Sequence, residues 1–257
     1  MDQKLEKIAR TGYAAKGAVY LLTGGLTFLA ALNLGGQKAG RMQVLEFLDN
    51  KPFGNVLLLL AGVGIACYAI WRFTQAFSDP EDIGSDTKGK FKRFTFFLSG
   101  CSYLALGYFA IMKIMGSGSS GSSGNGGQNS SLLMSDIGLV LLGIAGVAIL
   151  GRGIFQFYKA FHEDFIKKMS LWFEKRKLVK NAATMGVLAR GVLFVIIGYF
   201  AVRAAVSSDP SKMKSTGEAF SFIESSSYGS LLLGLVAFGA MAYGVFMLMT
   251  ARYRNFR

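Results

Sequence analysis

Carboxylates are almost absent from the apolar parts of this 257-residue sequence. Asp136 stands at the start of one apolar run, and no acidic residue lies deep in any of them. Proton and cation translocation usually needs buried carboxylates or exposed carbonyl groups inside the membrane. The scarcity of acids therefore argues against a carboxylate-driven proton pump.

Residues that bind metals or form disulfides are also scarce. His162 is the single histidine, which excludes two-histidine haem ligation within the chain and a histidine-rich metal site. Cys67 and Cys101 both fall in apolar runs, where we expect them to be small packing residues. There is no Walker or Rossmann sequence and no plausible Ser/His/Asp arrangement. We therefore expect no metal, no cofactor and no enzymatic activity.

Long apolar runs dominate what the sequence does contain. Charged residues make up 17% of the chain, whereas a soluble domain carries about a quarter. Runs of about 20 apolar residues match the hydrocarbon thickness of a bilayer. The sequence therefore predicts an all-α integral membrane protein with six transmembrane helices, and it disfavours a soluble protein with buried core helices. The predicted spans lie near residues 14–34, 54–77, 93–115, 133–158, 186–206 and 228–251.

The net charge of +13 is distributed unevenly about these spans. Eighteen lysines and arginines fall on the side that carries both termini, and five fall on the other side. The positive-inside rule then predicts a multi-pass protein of a bacterial inner membrane with both termini in the cytoplasm. The first apolar run is longer than a signal-peptide core and has no convincing cleavage site after it, so we expect it to be a span. The charge points to membrane lipids, especially anionic ones, as partners and not to nucleic acid; a protein partner or an oligomer stays open.

A glycine–aromatic–glycine pattern occurs three times, with the aromatic residue three positions after the first glycine and the second glycine seven positions after it. The second helices also repeat, since "WRFTQAF" (71–77) aligns with "FQFYKAF" (155–161). Three two-helix units follow, which we call the first (5–80), second (88–164) and third (180–256) unit. The three copies of the pattern are Gly17, Tyr20 and Gly24; Gly100, Tyr103 and Gly107; and Gly191, Phe194 and Gly198.

Each unit crosses the membrane twice, so all three begin on the same side and are parallel. We therefore expect a pseudo-threefold rotation about the membrane normal. Glycines seven positions apart share a helix face and let two helices approach closely in lipid. The pattern therefore predicts packing where the first helices of the units meet. The alternative is a pore constricted by Tyr20, Tyr103 and Phe194.

The threefold pattern of paired transmembrane helices resembles a bacterial membrane-protein family that is known only as a domain of unknown function. The residues that carry the resemblance are "ARTGYAAKGAVYLLTGG" (9–25), its echoes at 93–107 and 189–198, and the two aligned helix ends. The third unit departs most, because Thr184 stands where the first unit has Arg10 and its second helix ends in "LMTAR". The resemblance covers nearly the whole chain and implies no activity.

Two segments differ from the spans. The Gly/Ser-rich stretch 116–131 in the second unit cannot bury apolar area and is expected to be a flexible outer loop. The segment 165–181 has an apolar face ringed by basic residues, which is typical of a helix at an anionic membrane surface. It is either a basic topology anchor or a specific lipid or partner site. Its expected anchor residues are Lys167, Lys168, Trp172, Lys175 and Arg176.

Four cations within the spans are the candidate site for an anion or a lipid headgroup. Lys16, Arg72 and Arg190 fall near the cytoplasmic ends of their predicted spans, and Arg152 falls mid-to-inner in the fourth. Intramembrane charge is costly and usually faces a bundle interior or water. No acidic partner is available at that depth, so three interpretations stand. The cations snorkel to lipid phosphates, bond backbone carbonyls and tyrosines, or line a vestibule that accepts anions.

These observations predict a non-enzymatic inner-membrane protein with a structural, lipid-associated or accessory role. The alternative is a channel or transporter for an anion or an anionic lipid, which would use the inner-leaflet arginines.

Overall fold

The computed structural model describes residues 3–115, 135–162 and 177–254, and these residues form eight α-helices and no strand. The six long helices are α1 (Gln3–Ala31), α3 (Gly54–Phe77), α4 (Thr87–Ile114), α5 (Asp136–His162), α6 (Lys177–Val206) and α8 (Gly229–Tyr253). Two short helices, α2 (Arg41–Asp49) and α7 (Thr216–Glu224), precede α3 and α8. A 3-10 turn at Pro210–Lys212 follows α6.

All six long helices are long and apolar enough to cross a membrane. Each coincides with one predicted span, so the prediction of a six-span, all-α, multi-pass membrane protein is confirmed. The largest differences in the boundaries are at the starts of α1 and α6. These begin at Gln3 and Lys177, well before the predicted spans, because basic and polar residues continue the helix beyond the apolar run.

The most extensive contacts join the second helix of one unit to the first helix of the next. These pairs are α3 with α4, α5 with α6, and α8 with α1. Contacts inside a unit, α1 with α3 and α6 with α8, are fewer. Within the described residues, α4 and α5 of the second unit make few or no close backbone contacts. The bundle therefore runs in the order α4, α3, α1, α8, α6, α5, and it is open at what we call the α4–α5 seam. The pseudo-threefold rotation stays a prediction.

Glycines of the repeated pattern lie where neighbouring units meet. A Cβ added at Gly17 would lie 2.9 Å from the carbonyl oxygen of Gly244 in α8, and one at Gly198 would lie 2.6 Å from the backbone nitrogen of Leu150 in α5. Gly107 is less crowded, since its nearest neighbours would be 3.7 Å away. The glycine pattern therefore serves helix packing, but it packs first helices against second helices of the adjacent unit. This differs from the expected contact of first helices with one another.

Two further pairs of glycines let the two helices of the first unit, and those of the third unit, approach each other closely. A Cβ at Gly12 would lie 2.6 Å from the Tyr68 backbone, and one at Gly186 would lie 2.6 Å from the Tyr243 backbone. Gly64 and Gly239 are equally tight, with distances of 2.3 Å to Ala15 and 2.5 Å to Ala189. The equivalent residues of the second unit are Thr95 and Ala148. Their side chains forbid the same approach, which gives a physical reason for the α4–α5 seam.

Two arginines at equivalent positions cap the ends of second helices. Arg10 of α1 donates to the carbonyl oxygens of Ala251 and Arg252 at 2.7 and 2.6 Å, at the end of α8. Arg93 of α4 donates to the carbonyl oxygens of Ala76 and Phe77, both at 2.8 Å, at the end of α3. The last carbonyls of a helix lack intrahelical partners and carry partial negative charge. These arginines therefore satisfy carbonyls of one unit from the next unit.

Two of the sequence predictions fall outside the described residues. They are the flexible outer loop 116–131 and the part of the basic linker at 165–176, which contains Lys167, Lys168, Trp172, Lys175 and Arg176. The remainder of that linker, from Lys177, is the start of α6.

Candidate functional site

Cations and tyrosines from all three units meet inside the bundle, and we call this group the central cluster. Its phenols are buried, with side chains from α1, α3, α4 and α8. The ring centroids of Tyr68 and Tyr103 are 4.6 Å apart, and those of Tyr20 and Tyr243 are 4.8 Å apart, both edge to face. The members of the cluster are Lys16, Arg41, Arg72, Arg152, Arg190, Tyr20, Tyr68, Tyr103 and Tyr243.

Lys16 is the most deeply buried cation of the central cluster. It lies near the midpoint of α1 and is 5% exposed. Its ammonium group donates to the Tyr68 hydroxyl at 2.8 Å. The same nitrogen lies 4.5, 5.6 and 5.5 Å from the ring centroids of Tyr68, Tyr103 and Tyr243. Lys16 is therefore held by the faces and a hydroxyl of aromatic residues, which is a cation–π environment.

Arg72 connects the central cluster to the end of the bundle that the positive-inside rule predicts to be cytoplasmic. Its Nε donates to the Tyr68 hydroxyl at 2.8 Å, one helical turn away, and a second guanidinium nitrogen donates to the same hydroxyl. Another donates to Gln75 at 2.8 Å, and the Gln75 amide donates to Glu81 at 2.7 Å. Arg254 after α8 donates to the same Glu81 oxygen at 2.5 Å. This chain of polar contacts ties the first unit to the third.

Arg190 of α6 makes the corresponding contacts in the third unit. One of its guanidinium nitrogens donates to the hydroxyl of Tyr243, and the guanidinium carbon lies 4.4 Å from the centre of that ring. It also lies 5.5 Å from the Tyr20 ring and 5.1 Å from the Phe194 ring. Its Nε is buried and has no hydrogen-bond partner among the described residues.

Arg152 stands in α5 where the other second helices carry Tyr68 and Tyr243. Its guanidinium carbon lies 5.8 Å from the Phe194 ring, but the side chain as a whole is exposed. It remains within electrostatic range of Arg72 and Arg190. One turn further along α5, the Nε2 of Gln156 is buried without a partner among the described residues. The central cluster is therefore accessible on the side of α5.

Arg41 was not recognised as a candidate from the sequence, where it counts as an outer-side cation. It is the first residue of α2, and its guanidinium carbon lies 5.5 Å from the Tyr103 ring. The chain returns from the end of α1 towards the bundle through residues 32–40, and this return brings Arg41 onto the central cluster. The repeat alignment gives no signal for it, because the equivalent residue in the third unit is Thr216.

Positive charge in the central cluster exceeds negative charge. Lys16 is within electrostatic range of four arginines, namely Arg190, Arg72, Arg152 and Arg41. Within the described residues, the hydrogen-bond chain that leaves the cluster reaches one carboxylate, Glu81, which Arg254 shares. Buried charge without a counter-charge is unfavourable, and cation–π contacts offset only part of that cost. The geometry therefore suits an anion.

Of the three interpretations of the spanning cations, the contacts match tyrosine bonding for Lys16, Arg72 and Arg190. Lys16 and Arg190 lie near the midpoints of α1 and α6, because both helices begin well before the predicted spans, and the position of the cations near the cytoplasmic ends of the spans stays a prediction. Only Arg152 has the exposure that snorkelling to a lipid phosphate requires. The aromatic residues Tyr20 and Tyr103 are buried against other phenols and cations, so within the described residues they do not line an open pore.

Comparison with known proteins agrees with the three-unit architecture. The model of the Domain of Unknown Function DUF1206 matches residues 11–79, 94–163 and 185–254. The chain belongs to the DUF1206 family. Each match falls inside one of the three units, and the resemblance drawn from the repeats is confirmed.

One curated relative is an uncharacterised protein, YxxB, of Bacillus subtilis strain 168. It is 28% identical to this chain over 254 residues, which cover 98% of the chain and 92% of the relative. No solved structure matches the chain. The family match agrees with the three repeats, and neither the family nor the relative shows a specific role.

Proposed function

We propose that this DUF1206 protein is a non-enzymatic, lipid-associated protein of a bacterial inner membrane that holds an anionic lipid at the α4–α5 seam. The observation that carries the proposal is the exposed Arg152, which lies beside the α4–α5 seam, where the two spans of one unit make few or no close contacts among the described residues. A lipid there would supply both an acyl chain for the apolar walls and a negative headgroup for the guanidinium.

Burial of the spans supports the seam as a lipid-facing surface. Of the most apolar 18-residue stretch of α4 and of α5, 28% and 11% is buried in the protein, against 39–50% in the other four spans. The second unit therefore presents the largest area for lipid. A lipid phosphate is a strong acceptor for a guanidinium group, and that bond is favoured in the low dielectric of a bilayer.

The proposed orientation places the arginine-capped end of the bundle in the cytoplasm. Arg10 and Arg93 bond the ends of α8 and α3 there. At the opposite end, lysines are paired with acids: Lys38 with Glu224, and Lys113 with Asp49 at 3.1 Å. Cations pair with acids at the arginine-capped end as well, as Arg10 does with Glu6 and Arg254 with Glu81. The proposed orientation therefore rests on the larger number of lysines and arginines at that end, which the positive-inside rule uses.

The transport alternative gains no support of its own. Buried phenols and Lys16 occupy the centre of the bundle, and they contact one another directly. Flux through the centre would require these contacts to separate. A lipid bound from the side at Arg152 requires no such movement.

The test is lipid retention by the purified full chain. Wild-type protein and Arg152→Gln are reconstituted in vesicles of equal parts phosphatidylglycerol and phosphatidylcholine, extracted, and examined by native mass spectrometry. We expect wild-type protein to retain phosphatidylglycerol and Arg152→Gln to retain about tenfold less, because one charge-assisted bond is lost.

The matched control is Arg252→Gln, which removes an exposed arginine at the end of α8. It should retain phosphatidylglycerol like the wild type. Equal retention by wild type and Arg152→Gln, or equal losses in both variants, would show that lipid binding is not centred on Arg152 and would refute the proposal.

A further inference from the structure

A small cavity borders the central cluster. It has a volume of about 20 Å³ and is bounded by side chains of α1, α2, α6, α7 and α8. That volume holds about one water molecule or a small ion. Its polar lining consists of Tyr20, Thr23, Arg41, Arg190 and Thr216.

Two polar groups that face this cavity are buried without partners. Thr23 is 3% exposed, and its hydroxyl has no hydrogen-bond partner among the described residues. The Nε of Arg190 is also buried without a hydrogen-bond partner among the described residues. An unpaired buried polar group costs about 1–3 kcal/mol, and a charged one costs more. Two such groups at one cavity indicate a missing ligand.

The ends of two helices add to the positive potential of the cavity. Arg41 is the first residue of α2, and Thr216 is the first residue of α7. These helices have equivalent places in the first and third units, and they meet at Gly40 and Gly217. A Cβ at Gly40 would lie 3.2 Å from the backbone nitrogen of Gly217. Helix N-termini carry partial positive charge and favour anions.

The acid nearest in sequence to these helix ends is already engaged. Glu218 of α7 accepts the backbone N–H of Ser215 at 2.7 Å, and the Ser215 hydroxyl accepts the backbone N–H of Glu218 at 3.4 Å. The residues that line the cavity include two guanidinium groups and no carboxylate. The lining therefore lacks a negative charge of its own.

We propose that this cavity binds a small monovalent anion, chloride or another halide, between the guanidinium groups of Arg41 and Arg190 and the hydroxyl of Thr23. The small volume suits a single-atom ion. The site uses Arg41, Arg190 and Thr23 and not Arg152, so it goes beyond the lipid proposal. A bound halide partly neutralises the central cluster and joins α1, α2 and α6.

The experiment uses the full chain in a neutral detergent with no added lipid, so its outcome is independent of lipid retention. Sodium gluconate is replaced by sodium chloride at constant ionic strength, and the thermal unfolding midpoint is followed. We expect the midpoint to rise and saturate, because a ligand that binds only the folded state stabilises it. Bromide should act like chloride, and phosphate should have no saturable effect.

Thr23→Val is the decisive variant, since it keeps the shape of the side chain and removes only the hydroxyl. Loss of one hydrogen bond to the ion should raise the half-saturating chloride concentration about tenfold. Arg41→Gln should abolish saturation. The matched control, Arg252→Gln, should respond to chloride like the wild type.

Two results would overturn the proposal. One is a wild-type midpoint that does not saturate with chloride, and the other is a Thr23→Val titration that coincides with the wild type. If Arg41→Gln does not fold, Thr23→Val and a crystal grown with bromide still decide the matter. The anomalous peak is expected between Arg41 and Arg190, and its absence from that cavity contradicts the site.

Discussion

The second unit of this protein differs from the first and third in three linked ways. It has Thr95 and Ala148 where they have close-packing glycines, it has Arg152 where they have tyrosine, and its two helices make few or no close contacts. The first and third units share the close approach of their two helices, at Gly12 and Gly64 in one and at Gly186 and Gly239 in the other. Repetition thus set a common helix packing, and a few substitutions turned one copy into an open, charged surface.

The tyrosines that mark the closed units should give the largest effects on stability. Tyr68 accepts hydrogen bonds from both Lys16 and Arg72, whereas Tyr243 accepts one from Arg190. Tyr68→Phe removes an acceptor that two cations share and should lower the free energy of unfolding by about 3 kcal/mol. Tyr243→Phe should cost about half as much.

Reversible unfolding in mixed micelles measures both values. Tyr199→Phe is the control, because Tyr199 is half exposed on α6, and it should be close to neutral. If Tyr243→Phe costs as much as Tyr68→Phe, the number of bonded cations does not set the cost.

The internal glycines of the closed units come next. Gly12→Ala places a Cβ 2.6 Å from the Tyr68 backbone, and Gly186→Ala does the same at Tyr243. Each should destabilise the protein by about 1–3 kcal/mol through overpacking. Gly107→Ala is the matched control, since its Cβ would have nothing closer than 3.7 Å. Equal stability of Gly12→Ala and Gly107→Ala would remove close approach as the reason for closure.

Much of this fold follows from the sequence because its physical causes are local. Apolar runs of about 20 residues determine the spans, and glycine spacing determines which helix faces allow a neighbouring helix to approach closely. Alignment of the units also brings Tyr68, Arg152 and Tyr243 to equivalent places, and these lie together at the central cluster. Loops between units are short enough that the chain order limits the neighbours of each helix.

What the sequence did not reveal depends on pairing between distant segments. The motif glycines could not indicate which helix fills their face, and the partner is the second helix of an adjacent unit. Arg41 reads as an ordinary loop cation until the return of the chain after α1 brings it to Tyr103. The unpartnered Thr23 hydroxyl likewise appears only when α1, α2 and α6 are packed.

Bringing α4 and α5 into close contact would make the second unit resemble the first and third. The double substitution Thr95→Gly and Ala148→Gly gives α4 and α5 the small residues of their sister helices, and we expect the two helices to move together. Spin labels at exposed positions Leu104 and Val147, in a cysteine-less background, would report a shorter and narrower distance distribution. Two added helix glycines cost about 1 kcal/mol each, so distance is the decisive readout. An unchanged distribution would mean that other side chains keep the seam open.

The smallest expected effect concerns the helix caps. Arg10 and Arg93 bond the ends of α8 and α3, but the third unit has Thr184 at the equivalent place. By analogy with these two contacts, we expect Thr184→Arg to cap the end of α5 and to raise the free energy of unfolding by about 0.5–1 kcal/mol, the usual size of a cation's interaction with a helix C-terminus. Its reference is Arg93→Gln, which should lower stability by a similar amount. If Thr184→Arg has no effect while Arg93→Gln does, the α5–α6 contact differs from the other two inter-unit contacts at its end. The repeat would then be broken there as well as at the α4–α5 seam.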